Sequence, residues 1–429
     1  MVNILVVYEL TGTGHLRMAN IIEDALQDIE NVNITKIEGC DLLNSDDRKK
    51  IADLWNNLMK KNWINLTDFL INFFIREMIV PCIEMTEIVT FMQNLRELNP
   101  DIIITTYDAY TKGLACYCMQ AGIPLFSFLT SINSYNDEIH PYATHACYFN
   151  ETIDVIRKFN FNTDYYKVNV QFGEKPSFRK KMSYVLNYYW QYLLKPKKNP
   201  YCIQITDERE QKNNSRCFSL GPIAEEKHYT QIDPGVIRKE MVIPDNGKNN
   251  ILIVSGGIGG KFVLKVLNRI LKDYTKEANL LVACGRDEET RKMIENISNS
   301  EKLTIIPFGF TDKFHMLLQI SDCVITRASH STFTESLISR TPSITFSTVP
   351  TNDKGTLDMI EKYDIGVVCK KMKDLVPAVE KIVANSNRYQ ENIDRLLAPY
   401  TIDYDFLKKK IGEIVLESVL YSENLILEG

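Results

Sequence analysis

The sequence predicts an α/β protein of two domains, each built on a parallel sheet with helices on both faces. Three observations lead there. Short apolar runs alternate with longer stretches of helical period, the pattern of strands buried on both sides. A strand-like run enters a glycine-rich turn twice, as VVYELTGTGH at 6–15 and as ILIVSGGIGG at 251–260. The 429 residues also exceed what one hydrophobic core usually serves.

Taken in order, the runs at 3–8 (NILVVY), 102–106 (IIITT), 124–129 (PLFSFL), 201–205 (YCIQI) and 217–220 (CFSL) read as strands of the first half. Those at 251–255, 279–283, 303–306, 323–326 and 343–347 read as strands of the second. The stretch 231–250 (QIDPGVIRKEMVIPDNGKNN) is polar, with two Pro and two Gly, and marks the boundary. Domains are therefore expected at 1–235 and 250–395, with a helix and tail at 396–429. Neither glycine turn is a full G-x-G-x-x-G fingerprint; Arg17 stands in the first. Their presence in both halves predicts twin Rossmann-like domains facing each other across a cleft.

Composition narrows the function classes. The chain is 45% hydrophobic and 24% charged, with 50 Lys+Arg against 55 Asp+Glu, a formal charge of −5. This excludes a disordered chain and argues against a nucleic-acid binder, which would carry a basic excess. None of the ten cysteines forms a C-x-x-C pair, so zinc is not expected. The N-terminal MVNILVVYE reads as a strand rather than a signal segment, and Asp68, Asn72 and Arg76 interrupt the apolar stretch 64–80. A reduced, cytoplasmic protein is expected.

The most informative segment is DCVITRASHSTFTESLISRTPSITF at 322–346, which reads strand, polar turn, helix, strand. Ser329, Ser331 and Thr332 stand where a helix begins, with hydroxyls and unpaired N–H groups available to an anion. Glu335 lies three residues beyond Thr332 and admits two readings: a capping box, or a carboxylate for ribose hydroxyls. His15, one of six histidines, stands at a glycine turn ahead of a helix and suits a general base. The alternative is a packing or capping histidine.

These residues resemble a family. RASHSTFTESLISRTPSI follows the R-A-G-H-S-T-x-x-E-A-L pattern of inverting GT-B glycosyltransferases of the family 28 kind. That group includes monogalactosyldiacylglycerol synthase, processive diacylglycerol glucosyltransferase and the peptidoglycan-precursor N-acetylglucosaminyltransferase. Thr11-Gly12-Thr13-Gly14-His15 is similar to its N-terminal loop, and Ser255–Gly260 to the opening of its C-terminal domain. Cys284-Gly285-Arg286 and Phe308-Gly309-Phe310 are similar to two of its turns.

The resemblance implies a GT-B fold whose C-terminal helix crosses back to the first domain. It implies transfer of a hexose or N-acetylhexosamine from a UDP-sugar to a lipid or glycan hydroxyl, with inversion and without a metal. His15 would be the base. The donor would be held by Gly14, Gly257, Gly259, Arg286, Phe310, His330, Ser331, Thr332, Glu335, Asn352 and Asp353. Departures are Ser329 in place of a glycine, and Pro350–Thr356 in place of a Gln- and Asn-bearing stretch. Two alternatives stay open: a degenerate nucleotide-binding or scaffold subunit, and a UDP-sugar 2-epimerase.

Residues 175–206 carry no acid, seven basic and seven aromatic side chains. Such a block suits the surface of an anionic membrane, so a peripheral location at its inner face is expected. A helix cap or dimer contact is the alternative. Residues 52–80 place Trp55, Leu58, Trp63, Leu66, Phe69 and Phe73 largely on one face of an expected helix, and 396–422 reads as a C-terminal helix.

Overall fold

A computed structural model describes residues 1–10, 14–43, 46–70, 75, 80–107, 110–133, 138–158, 177, 179, 182–183, 186, 216–254, 256 and 260–427. Its first sheet contains β1 (Val2–Tyr8), β2 (Val32–Glu38), β3 (Ile102–Thr105), β4 (Leu125–Phe128), β5 (Thr144–Cys147) and β6 (Cys217–Ser219). They run parallel in the order β2-β1-β3-β4-β5-β6. The second sheet contains β7 (Asn249–Val254), β8 (Ala278–Ala283), β9 (Leu303–Phe308), β10 (Cys323–Ile325), β11 (Ser343–Phe346) and β12 (Gly366–Cys369). It is also parallel, in the order β12-β11-β10-β7-β8-β9. This is the two-domain α/β GT-B fold.

Alternation along the strands builds the cores. On β1, Ile4 and Val6 face Met18, Ile22 and Phe128, while Leu5 and Val7 face Phe91, Met92 and Leu114. On β7, Ile251 and Ile253 pack under the Lys261–Asp273 helix, and Leu252 and Val254 lie on the opposite face. The first core continues into the second domain through Phe333, Leu337, Met359 and Ile360.

Three segments differ from the sequence reading. The 231–250 stretch, read as the domain boundary, carries an element that the sequence reading did not place there. It holds the helix Pro234–Met241, started by Asp233, whose Oδ1 accepts from the N–H groups of Gly235 and Val236 at 2.8 and 3.2 Å. Ile237 and Met241 pack with Leu252 and Leu281 of the second sheet. Residues 52–80 are not one helix either. The Asp46–Lys60 helix stops where Asn62 turns left-handed (φ 59°), and a new turn runs over Ile64–Thr67. Finally, the C-terminal segment forms two helices, Ser386–Leu397 and Tyr404–Leu427, separated by a short break.

Asp403 Oδ1 accepts from the Phe406 N–H at 2.8 Å, so this acid caps the last helix. That helix returns to the first domain, where Ile411, Ile414 and Val415 pack with Met18 and Ile22. The strand expected at 201–205 and nearly all of the basic block 175–206 lie outside the described residues. Among the described residues, no helix is long and apolar enough to cross a membrane.

Candidate active site

Each sheet has a switch point where the connections from two neighbouring parallel strands lead to opposite sides. It lies between β1 and β3 in the first sheet and between β7 and β10 in the second. Crevices at the carboxyl ends of such strand pairs are where open α/β sheets bind ligands. The turns predicted from sequence leave these edges: Gly14–His15 after β1, Gly256 after β7, and Arg327–Thr332 after β10.

At the first switch point, His15 opens the Gly14–Leu26 helix and is half-buried. Its Nδ1 lies 2.6 Å from the Thr106 carbonyl beyond β3 and 3.2 Å from Thr130 Oγ1 beyond β4. A carbonyl only accepts, so Nδ1 carries a proton, and in the neutral ring the lone pair is then on Nε2. The Thr106 hydroxyl donates back to the His15 carbonyl at 3.0 Å, and Tyr107 meets the imidazole edge-on. The ring is thus oriented by residues at the ends of two strands, β3 and β4.

At the second switch point, buried Ala328 takes a left-handed φ of 64° and turns the chain sharply out of β10. Ser329 is the N-cap of the His330–Ile338 helix, and its hydroxyl bonds Thr332 Oγ1 at 3.1 Å. Glu335 is therefore interior to the helix, and the capping-box reading fails. It reaches instead across the cleft, where Oε1 accepts from Nη1 of Arg17 and lies 3.7 Å from His228 Nε2. Oε2 is buried with no hydrogen-bond partner among the described residues.

Electrostatics follow from this burial. Glu335 is 3% exposed, and desolvation, opposed by Arg17, pushes its carboxyl up to about 7. Burial, with smaller contributions from His315 and Arg17, pushes His228 down to about 3, so a neutral ring faces the carboxyl. His330, the first residue of the Glu335 helix, is buried. The imidazole packs edge-on to Tyr148 with centroids 4.1 Å apart, and burial pushes it down to about 3.

The two domains meet at these turns. A Cβ on Gly14 would lie 3.2 Å from Ser331 Oγ, and one on Gly260 (φ 121°) would lie 2.4 Å from the Lys60 carbonyl. Arg327 donates to the Met59 carbonyl at 2.8 Å. It also lies beside Asp353, which burial pushes up to about 7 against the pull of Arg327. Asn352 Oδ1, on the same Thr351–Asp353 turn, is buried with no hydrogen-bond partner among the described residues. Further along the edge, the Arg286 guanidinium stacks on the exposed Phe310 ring at 4.7 Å. Gly257 and Gly259 lie outside the described residues.

Sequence reasoning did not assign Arg17, Thr106, Tyr148, His228 or Arg327 to the site. Arg17 stood two positions from His15, and Arg327 opened the RASHST segment; the other three carried no local signal. Among the described residues, Glu9, Glu38 and Cys40 offer possible metal-ligand atoms within 4.8 Å of one another. Tyr110 donates to Glu9 Oε2 at 2.6 Å, and burial with the two acids raises the Cys40 thiol.

Two doubly wound halves with opposed crevices, one carrying His15 and the other a helix start with a buried carboxylate, make up the GT-B glycosyltransferase architecture. Residues 250–399 match the family model for the glycosyltransferase family 28 C-terminal domain. The chain is 22% identical over 339 residues to the processive diacylglycerol β-glucosyltransferase of Bacillus subtilis (strain 168), covering 77% of this chain and 71% of that one. It is 26% identical over 181 residues to monogalactosyldiacylglycerol synthase 2, chloroplastic, of Arabidopsis thaliana, covering 40% and 38%. The crystal structure of Acinetobacter baumannii MurG superposes with a TM-score of 0.57 at 12% identity, covering 96% of this chain and 99% of that one. The chain is a family 28-like glycosyltransferase.

Proposed function

We propose that this enzyme transfers a hexose or N-acetylhexosamine from a UDP-sugar to the hydroxyl of a membrane lipid, inverting the anomeric centre without a metal. The observation that best supports this reading is the meeting, across one cleft, of His15, with its Nδ1–H fixed on Thr106, and the helix start at Ser331 with Glu335 one turn further on. The lipid acceptor follows from what the Bacillus and Arabidopsis relatives are named for.

In this reading uracil lies against Phe310 and Arg286, and the ribose hydroxyls donate to Glu335. The diphosphate takes the N–H groups and hydroxyls around Ser331 and Thr332, where the helix dipole favours negative charge. Asn352 and Asp353 hold the sugar hydroxyls. His15 Nε2 removes the acceptor proton as that oxygen attacks the anomeric carbon from the face opposite the diphosphate. The bond from carbon to the diphosphate oxygen breaks, its electron pair leaves with UDP, and the proton stays on His15. Closure of the halves excludes water. The enzyme would work peripherally, at the inner face of a membrane.

The test is a panel of UDP-glucose, UDP-galactose and UDP-N-acetylglucosamine with diacylglycerol vesicles, with and without a chelator. UDP release coupled to glycolipid formation, insensitive to the chelator, is expected. Failure of every UDP-sugar to bind or turn over refutes the reading.

A further inference from the structure

The Thr351–Asp353 turn is held from the opposite domain on two sides. Asp68, at the end of the Ile64–Thr67 helix, accepts from the Thr351 N–H through Oδ1 at 2.8 Å and from the Thr351 hydroxyl through Oδ2 at 2.9 Å. On the other side, a Cβ on Gly355 would lie 2.8 Å from Ile132 Cβ and 2.9 Å from the Asn133 backbone nitrogen. Residues 131–133 directly follow Thr130, which touches His15. Both contacts join residues more than 200 positions apart, and both come from the first domain. Charge-assisted bonds from one carboxylate to a backbone N–H and a neighbouring hydroxyl fix a turn more tightly than neutral ones.

We propose that Asp68 is a positioning residue for the donor sugar. It shapes the Thr351–Asp353 turn from across the cleft, so Asn352 and Asp353 are correctly placed for sugar hydroxyls only when the halves are closed. This rests on the assignment of Asn352 and Asp353 to the sugar made above. Closure then does more than exclude water, because it completes the part of the donor site that distinguishes one sugar from another. The device also accounts for the departure at Pro350–Thr356: Thr351 supplies the two donors that Asp68 grips.

The experiment compares the full chain with Asp68→Ala, Asp68→Asn and Thr351→Val, using UDP, UDP-glucose and UDP-galactose as probes. In Asp68→Ala, UDP affinity should stay within about twofold. The kcat/KM for the preferred UDP-sugar should fall by about 100-fold, the cost of displacing a reacting group by about 1 Å. Preference between the two sugars should collapse. Asp68→Asn, which keeps an acceptor for the Thr351 N–H, should recover part of the loss. Thr351→Val should lose less than Asp68→Ala, and the double variant should be no worse than Asp68→Ala alone.

Retained sugar preference with retained UDP binding overturns the role of Asp68 alone. Equal weakening of UDP and both UDP-sugars also overturns it, since that marks a general structural defect. A wild-type chain that binds no UDP overturns the donor site and this role together. If Asp68→Ala fails to fold, Asp68→Asn and Thr351→Val carry the same comparison.

Discussion

Glu335→Gln should abolish a loss of stability that the wild-type carboxyl imposes as pH rises. Glu335 is buried, and its folded-state carboxyl is displaced upward from 4.5 to about 7, chiefly by desolvation and against the pull of Arg17. A raised carboxyl favours the protonated folded state. Its contribution is complete below the unfolded value, declines between about pH 4.5 and 7, and is gone above that. The slope in the window is about 1.4 kcal/mol per pH unit, and the whole displacement amounts to about 3 kcal/mol. Asp353 is raised with the same sign, so wild type alone does not isolate Glu335. The assay is urea unfolding of wild type and Glu335→Gln from about pH 5 to 9. The stability difference between them should shift toward the Gln variant by about 3 kcal/mol at most across the window, then level off. A difference that stays flat, or moves the other way, refutes the account of Glu335 as a desolvated carboxyl.

Other perturbations test neighbouring parts of the site. Arg17→Ala removes the cation that draws the Glu335 proton off; UDP affinity should fall at neutral pH and recover toward pH 9, read by calorimetry. Phe310→Ala removes the face on which Arg286 stacks, and should weaken UDP by about 1 kcal/mol with little change in melting temperature. Gly355→Ala drives a methyl into Ile132 and Asn133; transfer should fall while the variant melts within a few degrees of wild type.

The interior strands were legible because each is a continuous apolar run: VNILVVY, IIIT and NNILIV could hardly be anything else. The missed strands have physical reasons. β2 and β12 lie at sheet edges, half-buried, so VNITKIE alternates instead of running apolar and GVVC is short. β5, THAC, is buried but carries Thr and His, which break the apolar signal. The helix break at Asn62 needed a left-handed residue that Asn tolerates and that a helical-face count overlooks.

The site was legible where it is local. His15, Ser331 and Glu335 stand in short segments with a glycine turn or a helix start beside them. Its remaining parts are contacts between distant segments. Arg17 meets Glu335 318 positions away, and Asp68 meets Thr351 283 positions away. Only the packing of two domains creates such pairs, and no spacing along the chain announces them. The same packing buries Glu335 against Arg17, inside its helix rather than at the cap, which was one of the two readings its spacing from Thr332 allowed.

In the proposed reaction a base from the first domain acts on an acceptor beside a donor held by the second. The most direct measurement is the transfer rate of His15→Ala alongside its affinity for UDP. Transfer should fall by about 10²- to 10⁴-fold, as expected for loss of a general base, while UDP binds as in wild type. A variant that transfers sugar at the wild-type rate would remove His15 from the mechanism.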